Sequence, residues 1–342
     1  MSLPTLYLSR PGVHFPKQKF DNDAIIQLVR DQFRGTDVEW RSVCSGIEHL
    51  FGLCGTQSRY LETDLEARVA DYAVVATRKC CEENDSGLDD VDLLICGGIP
   101  RQYFEPATAM EVGDKLGLRS IHAFDVTAAC VGHLEAVQCA AAYMTIHPHY
   151  RKALICTAEL CYDYLSYDIQ HARDLRMKGA GLTIGNGSAC FMLTREPLKR
   201  GGLRLLGTDT FTDPSHWELC QVPIGGKFSS SSVELMRLGK LIPPVTKRNL
   251  DALNLSPDDI DHYVFHQPSE IMVRKIIEDI GANPERGVYT HHLYGNTASA
   301  SVAITFDHLL QQREVKHGEK IVLGSAAAGF SAVMATGEWT AP

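Results

Sequence analysis

Apolar and polar positions alternate along the chain with two different periods. Residues 22–34 (NDAIIQLVRDQFR) set apolar side chains three and four apart behind a polar start, which predicts an amphipathic helix. Residues 64–83 continue in helical style. Residues 92–97 (DLLICG) then read as a buried strand, 107–117 as a helix, 121–127 as a strand and 131–145 as a helix. Further strands are predicted at 152–157 (KALICT) and 189–194 (ACFMLT). The second half offers strands at 262–266, 287–291 and 321–325, and a helix over 269–279.

This order repeats. LDDVDLLICGG (88–98) matches PDDIDHYVFHQ (257–267) through an acidic turn into a strand, and KALICTAE (152–159) matches KIVLGSAA (320–327) at nearly the same offset. A helical segment follows the first strand of each copy. Two tandem β-α-β-α-β units would form an α/β protein whose two sheets bury shared central helices in layers. In buried, largely parallel sheets, functional groups gather at the carboxyl ends of strands. Cys130 follows the strand at 121–127, His266 ends that at 262–266, Asn296 lies just past 287–291, and Gly329 follows 321–325.

Composition narrows the chemistry. A chain of 342 residues is long enough for two halves sharing one large core. Its net charge of −9 argues against nucleic acid as the main partner. Charges break every apolar run short of a membrane span. The start lacks a secretory pattern and the eleven cysteines are irregularly spaced, so reduced thiols in a cytoplasmic protein are expected. No metal site is expected: Cys80 and Cys81 are adjacent, and Cys130 with His133 lacks a second ligand pair at zinc spacing.

Cys130 sits in DVTAACVGH (125–133), where small residues lead into a helix. At a helix N-terminus the thiol pKa is expected to fall, and the thiolate could take an acyl group from a thioester. Two neutral donors, the His266 imidazole and the Asn296 amide, could then stabilise a thioester enolate. An oxyanion hole for acyl transfer would use the Cys130 amide and an amide of the turn 326–330. Singly, each residue has a plainer explanation: a small buried hydrophobe, a strand-end histidine, a turn asparagine. The constellation is what points to catalysis.

VTAACVGH, VFHQPSEIM, YGNTASASVA and GSAAAGFSAVMATGEW resemble, in that order, the four signature segments of β-ketoacyl-ACP synthase III and its thiolase-fold relatives. The resemblance implies a thiolase fold of two similar halves in an αβαβα arrangement, here divided as 1–198 with Cys130 and 199–342 with His266 and Asn296. It implies a homodimer, no permanently bound cofactor, and CoA or phosphopantetheine thioesters as substrates. Cys130 becomes the acylated nucleophile, His266 and Asn296 the enolate-stabilising donors, and Gly329 or its neighbour Ala328 part of the oxyanion turn. The C-terminal turn GSAAAGFS lacks the second cysteine of thiolases, and the single histidine paired with Asn296 departs from the elongating ketosynthases.

The family's GDG turn reads GNG at 185–187, with Asn186. An arginine that grips CoA falls at Gln57, leaving Arg59 as the candidate. FEPATAM (104–110) is more similar to head-to-head condensing enzymes and to relatives in secondary metabolism; Glu105 matches a glutamate that reaches the partner subunit's site, although Glu before Pro also suits a helix start. Acyl-CoA or an acyl carrier protein is the expected partner, with Arg274 and Lys275 near the tunnel mouth, on a helix they share with Glu270, Glu278 and Asp279. The turn-rich segment 209–245 is expected to cover the pocket, with Ser229–Ser232 as a lid or a polar loop. Two other functions stay open: a same-fold acyltransferase passing the acyl group to a hydroxyl or amine, and a silent subunit supporting an active paralogue.

Overall fold

The computed structural model describes residues 4–341. Ten strands join in one sheet system: β1 (Tyr7–Ser9), β2 (Gly12–His14), β3 (Leu93–Gly97), β4 (His122–Val126), β5 (Lys152–Glu159), β6 (Gly187–Thr194), β7 (Gly202–His216), β8 (His262–Phe265), β9 (Lys320–Ala327) and β10 (Gly329–Thr340). Their order is β8-β9-β10-β7-β1-β6-β5-β3-β4, with β2 on β6. The repeat in the sequence is a repeat in this topology. β3 and β5 pair parallel and β5 and β6 antiparallel, as β8 and β9 pair parallel and β9 and β10 antiparallel. β6 then pairs antiparallel with β1, as β10 does with β7.

Strand alternation sorts side chains into layers. Leu93 and Ile95 of β3 join Val264 of β8 and Ile321 and Leu323 of β9 in a central core around helices Gly132–Ile146 and Ser301–Gln312. The intervening Leu94 and Cys96 face helices Val69–Glu83 and Thr108–Leu116. Tyr263, Phe265 and Val322 face helices Ile242–Ala252 and Glu270–Ile280 on the other side. Helix, sheet, helix, sheet, helix is therefore the layering. A Cβ on Gly97 would meet the Gly132 carbonyl oxygen at 2.4 Å, so glycine lets the central helix start close against the end of β3. Among the described residues, no helix is long and apolar enough to cross a membrane.

Three expectations change. The strand at 287–291 is absent apart from a single bridge, Tyr263 to Gly287. The Gln267 side chain takes the backbone groups that a strand would pair, donating to the Val288 carbonyl at 2.9 Å and accepting from the Thr290 amide at 3.1 Å. Segment 209–245 is more ordered than a lid: its first part completes β7, Cys220–Gln221 pairs with Ser229–Ser230, and Ser232 opens helix Ser232–Leu238. Helix Asp37–Cys54 was not expected. Its start is written in the sequence as a Thr36/Glu39 capping box, ahead of Val43, Ile47 and Phe51, which it buries.

Candidate active site

Cys130 occupies a 3-10 turn, Ala129–Val131, that feeds the central helix Gly132–Ile146. The second half repeats the device: the turn Ala298–Ala300 feeds helix Ser301–Gln312, each element starting 169 residues later (298 against 129, 301 against 132). Ala129 and Ala298 both hold the left-handed conformation, with φ of 46° and 45°, which costs a non-glycine residue energy and persists where surrounding packing imposes it. The two turns pack against each other at the junction of the halves. Cys130 thus has Ser299 as its counterpart.

Hydrogen bonds draw the strand ends together. The His266 amide donates to the Gly324 carbonyl at 2.8 Å, and the next residue, Ser325, donates its hydroxyl to the Cys130 carbonyl at 2.9 Å. Two consecutive residues of β9 therefore tie His266 to the Cys130 turn. Asn296 is fixed through its backbone, its amide donating to the Thr183 carbonyl (2.8 Å) and its carbonyl accepting from the Gly185 amide (2.9 Å). Its side-chain Oδ1 accepts from the Ala298 amide at 3.0 Å, which orients the carboxamide and leaves its NH₂ group as the available end. The carbonyl of the same Ala298 bears on the His266 imidazole.

His266 is buried, and burial holds its pKa down to about 4, with neighbouring His291 lowering it further and the Ala298 carbonyl opposing. It is a neutral imidazole at neutral pH, and its Nδ1 is buried with no hydrogen-bond partner among the described residues. His291 is bonded at both nitrogens: Nδ1–H donates to the Gln267 carbonyl at 2.8 Å, so Nε2 accepts from the Thr56 hydroxyl at 2.6 Å.

Cys130 departs from expectation. Burial pushes its thiol above the ordinary range, and Cys220 and Glu159 add to the shift; its own amide, directed at the sulfur, opposes them without winning. The resting side chain is therefore a thiol. Gly329 opens β10 at a φ of 133°, a conformation suited to glycine, and pairs with His216 in β7. Cys220 follows four residues after that contact.

The remaining candidates do not gather here. Arg59 is fully buried, donates to Asn22 Oδ1 (3.0 Å) and the Leu182 carbonyl (2.9 Å), and lies over the Phe51 ring. It holds helices to the core and cannot meet a surface-bound CoA, because packing encloses its guanidinium. Arg274 pairs with Glu270 at 3.0 Å and Glu285 at 3.3 Å and stacks on Tyr289, and Lys275 pairs with Asp279 at 2.5 Å. Their charges are matched within the chain, so a basic docking patch is not formed there. Glu105 is exposed, beside a cleft of about 360 Å³ lined by Arg68, Tyr103, Pro106, Met110 and Glu111. Asn186 is structural: its Oδ1 accepts from the Glu62 amide at 2.8 Å.

Sequence reasoning passed over Glu159, which is wholly buried at the end of β5 and bears electrostatically on Cys130. Its signal was present: the segment KALICTAE ends a buried strand on a charged residue, at the sheet edge where functional groups collect.

Three buried histidines, His133, His266 and His291, are each held at about 4 by burial. Between about pH 6.5 and 4 the unfolded chain takes up protons that these rings refuse, so their contribution to stability is full above that window and lost as pH falls through it. Glu159, raised by burial, has the opposite sign, favouring the folded state as pH falls. Burial also lowers His14, His262 and His308 and raises Glu135 and Asp307, so six groups stand against three, and the melting temperature should fall from pH 6.5 to 4 in a thermal scan; a flat or rising profile would contradict the buried neutral histidines.

The comparisons agree with this architecture. Residues 124–214 match the family model described as 3-oxoacyl-[acyl-carrier-protein (ACP)] synthase III, and residues 250–339 match the model of its C-terminal part. The chain is 24% identical to the β-ketoacyl-[acyl-carrier-protein] synthase III of Clostridioides difficile, over 96% of this chain and 97% of that protein. It is 27% identical to the acyl-CoA:acyl-CoA alkyltransferase of Xanthomonas campestris, over 81% of this chain and 84% of that protein. Among solved structures, FabH of Pseudomonas aeruginosa superposes with a TM-score of 0.83 at 21% identity, covering 98% of both chains. A cysteine-to-serine variant of Xanthomonas campestris OleA, with bound lauric acid and lauroyl-CoA, superposes with a TM-score of 0.87 at 21% identity, covering 99% of this chain and 100% of that one. Matches to the two halves, with a fold shared end to end, mean that this chain belongs to the 3-oxoacyl-[acyl-carrier-protein] synthase III family of the thiolase superfamily and is an acyl-transferring condensing enzyme.

Proposed function

We propose that the protein joins two acyl thioesters on Cys130, in polyketide, fatty-acid-derived or other secondary metabolism. Cys130 sulfur attacks the carbonyl carbon of an acyl-CoA or acyl-carrier thioester, the new S–C bond forms as the old one breaks, and the departing thiol takes the proton that Cys130 gives up. The amides of Cys130 and Gly329 hold the oxyanion. A second thioester then becomes an enolate, by loss of carbon dioxide if malonyl-type or by loss of an α-proton if a β-ketoacyl chain. The enolate carbon attacks the Cys130 thioester, and the Cys130 thiolate leaves.

The observation that carries this reading is the state of the two donors. Asn296 has its oxygen engaged and its NH₂ available, and His266 is neutral, so both are suited to stabilise an enolate without first taking up a proton. Acceptor-acylating relatives need only a base, and nothing in the geometry favours them over condensation.

The active form is a homodimer. Among the described residues β4 ends the sheet with an unpaired edge, and near it Phe104 is 79% exposed and Tyr103 51% exposed, an apolar surface that a second copy would cover. Glu105 lies on that surface and reaches across to the partner's site as the base for the second substrate. The two halves, 1–198 and 199–342, then supply nucleophile and donors respectively, and the enzyme works in the reducing cytoplasm on CoA or carrier-borne thioesters.

The test is mass spectrometry of the intact protein and its products after incubation with acyl and malonyl thioesters. An acyl adduct on Cys130 and a product with a new carbon skeleton are expected. An ester or amide product would move the function to simple acyl transfer, and no adduct with any donor would make the chain a silent subunit.

A further inference from the structure

Glu159 presents a hydrogen-bond problem with one good solution. The Ser299 hydroxyl has three polar neighbours: Thr157 Oγ1 at 2.6 Å, the Gly97 carbonyl oxygen at 3.2 Å, and Glu159 Oε1 in close contact. Serine carries one proton and two lone pairs. The serine proton can go to the Gly97 carbonyl, which can only accept, or to Glu159; with Gly97 served, Thr157 and Glu159 both donate to Ser299. Glu159 can donate only as a carboxylic acid. As a carboxylate it would compete with Gly97 for that one proton and leave two acceptors face to face. Its other oxygen accepts from Cys161 Sγ at 3.6 Å, and the Ile99 amide donates to Oε1 at 3.3 Å.

We propose that Glu159 is a positioning residue for the chemistry at Cys130, donating to Ser299 and so locking together the β5 end, the loop after β3 and the Ala298–Ala300 turn. The inference rests on Cys130 being the nucleophile. Ser299 stands where Cys130 stands in the other half, and the pairing is mirrored too. Ser325 Oγ bonds the Cys130 turn from β9, and Thr157 Oγ1 bonds Ser299 from β5. The second turn has no acyl group to carry. Glu159 anchors it instead, and with it Ala298, which orients the Asn296 carboxamide and faces His266.

Burial raises the Glu159 pKa, in keeping with the proton count, while the Ile99 amide and the Cys161 thiol, which donate to it, oppose. The titratable groups facing it are Cys161 from the turn that follows β5, Tyr164 from the next turn, and Cys130 across the junction. Among the described residues no Lys, Arg or His side chain bonds it. As pH rises, the Glu159 proton and the Cys130 proton are lost against each other, because charge on one disfavours charge on the other.

The test compares Glu159→Gln, Glu159→Ala and Ser299→Ala in the full chain. Glutamine can donate from its NH₂ and accept at its oxygen, so it should retain most of the turnover rate at neutral pH. Glu159→Ala should lose on the order of tenfold to a hundredfold in kcat with KM little altered, the scale of a displaced catalytic group. Ser299→Ala, a smaller change that keeps the chain folded if Glu159→Ala does not, should fall in the same direction. A second readout needs no turnover: iodoacetamide labelling of Cys130, located by peptide mass spectrometry across pH. Its midpoint should move to lower pH in Glu159→Gln, where no neighbouring carboxyl competes to ionise; a residue with only a packing role would leave it in place. The proposal is overturned if glutamine is as damaging as alanine, if both alanine variants keep full kcat, or if the labelling midpoint does not fall. Because labelling reports on the thiol itself, these outcomes stand apart from loss of the acyl adduct, which would overturn the role of Cys130.

Discussion

Cys130→Ala is expected to remove the acyl adduct and the turnover together while the protein stays folded. The turn is held by backbone: the Cys130 carbonyl accepts from Ser325, and the residues around it pack through their own side chains, so a side chain shortened by one sulfur leaves the scaffold intact. What disappears is the group that holds an acyl chain between two half-reactions. Turnover should fall on the order of 10⁴-fold or more, the scale seen when a covalent nucleophile is deleted. The measurements are intact mass after exposure to acyl-CoA and a melting curve. Cys161 and Cys220 are the neighbouring thiols that bear on Cys130, so a surviving adduct would be sought there and would end the assignment.

Asn296→Ala should separate the half-reactions. On the proposed mechanism, acylation of Cys130 relies on the amides of Cys130 and Gly329 and should proceed. Condensation should slow by about two to three powers of ten, the effect of losing one oxyanion donor. Alanine also strips the Ala298 amide of its partner, so Asn296→Asp is the sharper comparison: it keeps the acceptor oxygen and removes the NH₂ donor. A comparable loss of condensation in both variants, with the adduct still forming, supports the donor role. If either variant blocks the first transfer, the assignment of Asn296 to the second step is wrong.

The layered fold and the duplicated order could be read from periodicity because each buried strand carries its own apolar run and each copy opens on the same acidic turn. What could not be read depended on where side chains travel. Gln267 looks like an ordinary residue after a strand, yet its amide takes two backbone groups, the Val288 carbonyl and the Thr290 amide, that a strand would have paired. Arg59 reads as a surface cation, and only the packing of Phe51 and Leu182 around it shows that it is core. Arg274 and Lys275 stand near the right helix face, but acids one turn away match their charge. For Cys130 the local rule, that a helix start favours thiolate, omits the larger effect of burial. Thr36 and Glu39 spell out a helix start that hydrophobic periodicity alone passes over.

A very short strand has a long wait. β1 is only Tyr7–Ser9, yet it lies between the halves, pairing with Leu193 and Thr194 on one side and with Gly202, Leu203 and Arg204 on the other. During synthesis nearly two hundred residues must follow it before either partner exists. Joining ends so distant carries a large closure entropy, so this seam belongs to the last events of folding. Until then Tyr7–Ser9 stays unpaired, and the first half cannot be sealed to the second until β6 and β7 have both emerged.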